Sequence, residues 1–178
     1  METWKHIRAI MSLPVMATMV IPGVLLFFTG ENGSAFSLHL PWNWVVPSAG
    51  FLFIGAGLCL FVATVRLFVL IGRGTLAPWN PTQKLVVHGV YRHVRNPMIS
   101  GVSCILLGEA LLSLSPPVFG WFGLFLFVNM IYMPLLEEPG LEKRFGVEYL
   151  RYKENVPRWI PRLKPWQDRT TELPKVQP

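Results

Sequence analysis

The sequence has few cysteines, no clustered histidines and no strand pattern, and each lack excludes a class of protein. Its two cysteines, Cys59 and Cys104, stand inside apolar runs, so a disulfide framework and a CxxC metal site are both excluded. The four histidines have no metal-ligand spacing, and no metal is expected. No GxGxxG motif follows a strand pattern, which excludes a Rossmann-type nucleotide-binding domain.

Charge is also scarce. Charged residues make up 15% and hydrophobic residues 52% of the 178 residues, which is typical of a small multi-spanning membrane protein. The formal net charge of +6 is confined to particular loops, and this favours a basic surface facing membrane lipids over a nucleic-acid partner. We expect one domain over residues 1–165 and a disordered, Pro-rich tail over residues 166–178.

Four apolar stretches predict membrane-spanning helices, at residues 9–29, 45–71, 98–113 and 118–136. All but the third are long enough to cross the hydrocarbon at about 1.5 Å per residue. The short link between the third and fourth predicts an antiparallel hairpin. Pro14 and Pro22 are expected to kink the first helix, which membrane helices tolerate. A signal peptide is the alternative for that stretch, but its length and its two prolines favour a span.

Lysine and arginine are found in every second loop and are absent from the loops between. They precede the first stretch at Lys5 and Arg8, are absent from residues 30–44 and from the hairpin turn, and are frequent after Glu138. The loop after the second stretch also contains them, at Arg73, Lys84, Arg92 and Arg95. The positive-inside rule then places both termini and this middle loop in the cytoplasm. The sequence therefore predicts an all-α, polytopic membrane protein with about four transmembrane helices.

Three further features belong to this picture. Between residues 141 and 152, apolar and charged side chains alternate at helical spacing, which predicts an amphipathic helix on the cytoplasmic interface. Arg66 is close enough to the end of its stretch to snorkel. Glu109 lies deeper and is expected to face the protein interior, either in a structural pair or on a substrate path.

Two polar segments flank the predicted hairpin. Residues 88–101 read HGVYRHVRNPMISG, and the second segment runs from Glu137 to Pro161. Asn is a favoured N-cap and Pro a favoured first helical residue, so a helix should begin at Pro97. Its unpaired N–H groups, beside Arg95, would attract a carboxylate. The alternative is that Arg92 and Arg95 contact lipid phosphates.

The order of these two segments around a hairpin resembles the isoprenylcysteine carboxyl methyltransferase and phospholipid methyltransferase family of integral membrane enzymes. The resemblance covers roughly residues 88–161, and it implies methyltransferase activity with S-adenosyl-L-methionine (SAM) as the cofactor. Two positions depart from the family pattern. Asn96 stands where His is common and can still cap a helix, whereas Ile99 stands where Tyr is common and removes an aromatic or hydroxyl contact.

The resemblance also implies which residues form the site. Those implied to bind the cofactor are His88, Gly89, Tyr91, Arg95, Asn96, Pro97, Gly101, Glu137, Glu138, Tyr149 and Tyr152. Those implied to be catalytic are Arg95, Glu137, Glu138 and Arg158. Chemically, Arg95 at a helix start suits the SAM carboxylate and either glutamate suits its ammonium. The tyrosines could flank the adenine, or the sulfonium by cation–π attraction.

The acceptor is left open by the sequence. The family implies a prenylcysteine carboxylate, a phospholipid amine or a small thiol, and we expect a lipophilic acceptor reached through the membrane. Residues 74–81 form a Gly- and Pro-rich loop in which Trp79 could either cover the cofactor or anchor the loop at the interface. An NADPH-dependent membrane reductase and a non-catalytic membrane adaptor are the rival classes, and the oligomeric state is not predicted.

Overall fold

In a computed structural model of the chain, the described residues are 13–30, 37–72 and 84–167. Regular structure in these ranges is entirely helical, which confirms the all-α prediction for this part of the chain. The α-helices are α1 (Ile21–Thr29), α2 (Trp42–Leu67), α3 (Pro97–Ser113), α4 (Pro116–Tyr132), α5 (Glu138–Phe145) and α6 (Val147–Asn155). Lys5, Arg8, the Trp79 loop and residues 168–178 of the predicted tail lie outside the described residues.

Within the described residues, all four predicted apolar stretches are helical. Trp42–Ile71 and Pro116–Phe145 are continuous helices of 30 residues, each long and apolar enough to cross a membrane. Leu13–Thr29 and Pro97–Ser113 are shorter apolar helices. Large apolar side chains remain exposed on their outer faces, including Phe27, Phe28, Leu52, Leu70 and Phe127. Exposed apolar surface of this extent suits a lipid environment better than water.

Helices α2 and α3 touch through glycines. A Cβ atom on Gly57 would lie 2.6 Å from the carbonyl oxygen of Gly101, and one on Gly108 would lie 2.5 Å from that of Gly50. Small residues let membrane helices approach until their backbones are in contact. Gly101, which the family resemblance assigned to the cofactor, therefore lies in the α2–α3 interface.

Helices α3 and α4 form the predicted hairpin. They are joined by Leu114 and Ser115 alone, and Leu114 ends α3 in the left-handed conformation with φ of 49°. A connection of two residues requires the helices to run antiparallel. A core that contains Ala17, Phe61, Val102 and Leu106 lies where the first helical segment, Leu13–Thr29, meets α2 and α3.

The first helical segment contains a π-helical turn, Met16–Val20, in which Ile21 donates to the Met16 carbonyl. The next donor in that pattern would be Pro22, which has no N–H. The Ala17 carbonyl instead accepts a hydrogen bond of 2.8 Å from Trp121 Nε1 of α4. The proline thus frees an acceptor that ties the first helix to the hairpin.

The π-helical turn Met133–Glu137 sets the orientation of the two glutamates. In an uninterrupted α-helix Leu136 would follow the buried Met133 on the inner face, and Glu138 would point away from it. A π turn contains an additional residue, and the register after it shifts. Leu136 is 64% exposed and Glu138 only 3% exposed, so the turn brings Glu138 into the protein.

The prediction of a single amphipathic helix over residues 141–152 was wrong. Gly146, with φ of 54° and ψ of −130°, separates α5 from α6. The predicted apolar stripe packs inside the protein, where Tyr149 and Tyr152 form a cluster with Val156 that Leu141, Phe145 and Trp166 border. Gly146 can turn the chain because it accepts a backbone conformation that other residues avoid. The turn brings the apolar side chains of α5 against those of α6.

Arg66 and Glu109 occupy different environments. Arg66 is exposed in the last turn of α2, and its reach to the end of the span stays a prediction. The Oε2 atom of Glu109 is buried and has no hydrogen-bond partner within residues 13–30, 37–72 and 84–167. The structural pair considered for Glu109 is therefore not observed there.

Candidate active site

The two polar segments meet through their backbones. The N–H of Arg95 donates to the carbonyl of Pro157 at 2.9 Å, and that of Arg162 donates to the carbonyl of His93 at 3.0 Å. At the end of the segment, the N–H of Trp166 donates to the carbonyl of Arg92 at 2.9 Å. Residues 156–166, which we call the strap, are thus fastened along the first segment. Trp166, predicted to begin the disordered tail, is one of the fastened residues.

Side chains reinforce this attachment. Arg92 Nε donates to the Trp166 carbonyl at 2.6 Å, and His93 Nδ1 lies 2.8 Å from the Arg162 carbonyl. Arg92 and His93 therefore connect the segment to the strap. This attachment fixes the position of Arg158, which lies between the fastened strap residues.

A buried carboxylate, Glu138, lies where the segments meet. Arg158 binds it with two contacts, Nε to Oε1 at 2.5 Å and Nη2 to Oε2 at 2.9 Å. Arg95 Nη1 is 3.2 Å from Oε1, and Lys153 Nζ is 3.4 Å from Oε2 and 2.5 Å from Glu142. These five residues form what we call the Glu138 cluster. With three cations and two carboxylates, the cluster has an excess of positive charge.

Two residues at the cluster, Arg95 and Asn96, have buried donor atoms without hydrogen bonds in the described structure. The Arg95 side chain is 8% exposed, and in the described structure neither Nε nor Nη1 makes a hydrogen bond, although Nη1 is within ion-pair distance of Glu138. The Nδ2 atom of Asn96 is also buried without a partner there. Buried donors normally have acceptors, so these atoms suit an anionic group at the positive end of α3.

The predicted start of α3 is confirmed, but its predicted cap is not formed. The helix begins at Pro97, and Ser100 N–H donates to the Asn96 carbonyl at 3.1 Å. Asn96 makes no side-chain capping bond in the described structure. Its φ of −118° and ψ of 57° lie outside the extended conformation of a usual N-cap. The amide is consequently left for another partner.

The three predicted ring-binding tyrosines are buried. Tyr152 donates its hydroxyl to the Tyr91 carbonyl at 2.7 Å, and the Tyr91 ring packs edge-on against Phe68 at 5.6 Å. Burial, and then the negative charge of Glu138, raises the pKa of Tyr149 to about 12. Tyr149 therefore keeps its proton at neutral pH and can donate a hydrogen bond beside the cluster.

Other predicted residues lie at the edge of this arrangement. His88 is exposed at the start of a short 3₁₀ helix, Gly89–Arg92. Gly89 has φ of 55° and faces Leu67, so its role here is to turn the chain toward α2. Glu137 is partly buried and makes no ion pair with another described residue. The structure thus separates the two glutamates, since Glu138 is fully paired and Glu137 is not.

Lys153 and Glu142 are members of the cluster that the sequence analysis missed. Their spacing was a usable signal, because Lys153 follows Tyr149 by four residues and Glu142 follows Glu138 by four. Residues four apart lie on the same face of a helix. The pairing of the two faces depends on the corner at Gly146, which spacing alone does not indicate.

A comparison with known families gives one match. A family model described as phospholipid methyltransferase matches residues 47–148, which is more than half of the chain. The match includes α2 from Pro47 onward and all of α3 to α5, with Arg95 and both glutamates, whereas Lys153 and Arg158 lie beyond it. No curated protein and no solved structure matches the chain.

Proposed function

The chain belongs to the phospholipid methyltransferase family, and from this we propose that it transfers a methyl group from SAM to a lipophilic acceptor in the membrane. The observation that carries the proposal is a set of buried donor atoms that make no hydrogen bond in the described structure, Nε and Nη1 of Arg95 and Nδ2 of Asn96, at the start of α3 and at the Glu138 cluster. The amino-acid end of SAM carries a carboxylate and an ammonium, and this part of the chain has groups that suit both.

The residues present fit the cofactor. The donors of Arg95 and Asn96, with the first N–H groups of α3, are suited to its carboxylate. Glu137 is suited to the ammonium, because Glu138 is already bound by Arg158. Tyr149 adds a neutral hydroxyl. When bound, SAM supplies a methyl group made electrophilic by the sulfonium, and the task of the protein is to position it and match its charges.

We propose that Glu138 is a positioning residue. It contacts Arg95 from the start of α3, Lys153 from α6 and Arg158 from the strap. A carboxylate with three cationic neighbours has little capacity for a further ammonium, but it can hold Arg95 in place. This divides the roles assigned to the two glutamates, with Glu137 contacting the cofactor and Glu138 supporting Arg95.

The charge of the cluster favours an acceptor with an anionic head, as in an isoprenylcysteine carboxyl methyltransferase. A carboxylate needs no general base, whereas a protonated amine must first lose a proton. A phospholipid amine is the second candidate, supported by the family match, and Glu137 or His88 would then accept the proton. A small thiol is the third.

We propose that four helices span the membrane, with both termini and the cluster on the cytoplasmic side. The exposed apolar faces of Trp42–Ile71 and Pro116–Phe145 support this arrangement. The acceptor would then reach the cluster from the lipid. An apolar tail gains about 25 cal/mol per Å² on leaving water but little on leaving lipid, so selectivity would depend on shape and on the polar head.

The test is methyl transfer from labelled SAM by the purified protein in lipid. Extracted membrane lipids and prenylcysteine analogues form one panel, and soluble amines and thiols form the other, with the Arg95→Ala variant as the inactive control. We expect label in the lipidic panel only. Label restricted to the soluble panel would support a small-thiol methyltransferase, and stabilisation by NADPH instead of SAM would support a membrane reductase.

A further inference from the structure

The strap exposes two apolar side chains. Ile160 is 80% exposed and Leu163 is 98% exposed, although the neighbouring apolar residues Val156 and Trp166 belong to a packed cluster. The free energy falls when exposed apolar side chains leave water. The two positions therefore need a cover that the described part of the chain does not supply.

Their places follow from how the strap is fastened. The strap is bonded to the first segment at Pro157, Arg162 and Trp166. Ile160 lies between the first two attachment points and Leu163 between the last two. Both apolar side chains are thus carried by the unattached parts of the strap, while the bonded residues hold it against the protein.

The charge of the strap indicates what could cover it. Residues 156–166 include no Asp or Glu, and they contain Arg158, Arg162 and Lys164. Arg158 is engaged by Glu138 and Arg162 by the Asn155 carbonyl, whereas Lys164 is exposed. Trp159 and Trp166 complete a composition of aromatic, aliphatic and basic residues that is typical of segments at a membrane surface.

We propose that the strap lies on the cytoplasmic leaflet, with Ile160 and Leu163 inserted among the lipids and Lys164 facing anionic headgroups. Apolar insertion and attraction to anionic lipid act together in such segments. The lipid surface then comes within two residues of Arg158 and next to the Glu138 cluster. The inference rests on the membrane embedding in the proposed function, but not on methyl transfer.

Spin labels on single cysteines test the contact in the full-length protein. The protein, with Cys59 and Cys104 changed to Ser, is reconstituted in vesicles of phosphatidylcholine and phosphatidylserine. Labels are placed at Ile160→Cys and Leu163→Cys. Leu124→Cys, half-exposed on α4, is the lipid reference, and Glu154→Cys, exposed on α6, is the aqueous reference. Collisions of each label with oxygen and with a water-soluble nickel chelate are compared.

We expect labels at 160 and 163 to collide more with oxygen than with the nickel chelate, as at 124. Collisions dominated by the chelate, as at 154, would overturn the proposal. Labels shielded from both reagents would also overturn it, because protein, such as a second copy of the chain, would then be the cover. An aqueous result at 124 would contradict the membrane embedding itself, so the two failures are distinguishable.

Discussion

Arg158 occupies both carboxylate oxygens of Glu138, with Nε 2.5 Å from Oε1 and Nη2 2.9 Å from Oε2. Planar guanidinium and carboxylate groups match in this two-contact geometry. The pair joins the start of α5 to the strap, and Glu138 also lies 3.2 Å from Arg95. A residue with these contacts is better suited to hold the site together than to bind a ligand.

The first prediction separates the two glutamates. Glu138→Gln should lower the free energy of unfolding by about 3 kcal/mol, near the lower end for removing one partner of a buried ion pair, since Arg158 is partly exposed. Glu137→Gln should leave stability almost unchanged and weaken S-adenosylhomocysteine binding about tenfold, the loss expected for one charged hydrogen bond. Thermal unfolding in detergent and calorimetry measure the two effects.

The opposite pattern would contradict this division of roles. If Glu138→Gln is as stable as the wild-type protein and only Glu138→Gln loses cofactor affinity, then Glu138 binds the ammonium and its pairing with Arg158 is secondary. If both variants keep wild-type stability and affinity, neither role is correct.

The second prediction concerns the contact between α2 and α3. Gly57→Ala should destabilise the protein by about 1–3 kcal/mol, the usual cost of overpacking, because its Cβ would lie 2.6 Å from a backbone oxygen. Gly55→Ala is the matched control on the same helix, and it has nothing within 4 Å of its Cβ position. Equal unfolding temperatures for the two variants would show that the helices are not in backbone contact.

The third prediction concerns the corner between α5 and α6. Gly146→Ala should cost about 1–3 kcal/mol, since alanine is strained at φ of 54° and ψ of −130°. Gly140→Ala, with open space at its Cβ position and a helical backbone, should be neutral or slightly stabilising. Chemical denaturation of both variants checks the difference. A neutral Gly146→Ala would mean that the chain does not make this corner.

Much of the helical framework could be predicted from the sequence. The four apolar stretches are helical within the described residues, and α3 begins at Pro97, where the missing N–H of proline costs no hydrogen bond. The two-residue link at Leu114 and Ser115 was also predictable as a tight hairpin. These features depend on local composition and on proline chemistry, which a single sequence records.

The arrangement of the site could be predicted only in part. The inward direction of Glu138 depends on the π turn Met133–Glu137, and a helical periodicity assumes that no such turn intervenes. The pairing of Arg158 with Glu138 depends on strap bonds to residues far away in the chain. Gly146 was visible as a glycine, but the direction of the corner it makes depends on tertiary packing.

The fourth prediction tests the orientation of the chain. Cysteines introduced at Ser37 and Glu154, both exposed, are labelled with a membrane-impermeant maleimide after Cys59 and Cys104 are replaced by Ser. In intact cells Ser37→Cys should be labelled and Glu154→Cys should not, since lysine and arginine are concentrated on the Glu154 side. Labelling of both or of Glu154→Cys alone would contradict the proposed topology.

The most direct test of the central claim is calorimetric titration of the purified protein with S-adenosylhomocysteine, beside Arg95→Ala. We predict saturable binding to the wild-type protein and an affinity ten- to a hundred-fold lower for Arg95→Ala, since a charged hydrogen bond is worth about 1.5–3 kcal/mol. Folding of the variant is checked by thermal unfolding. No binding to a folded wild-type protein, or equal affinity in a folded Arg95→Ala, would contradict the account.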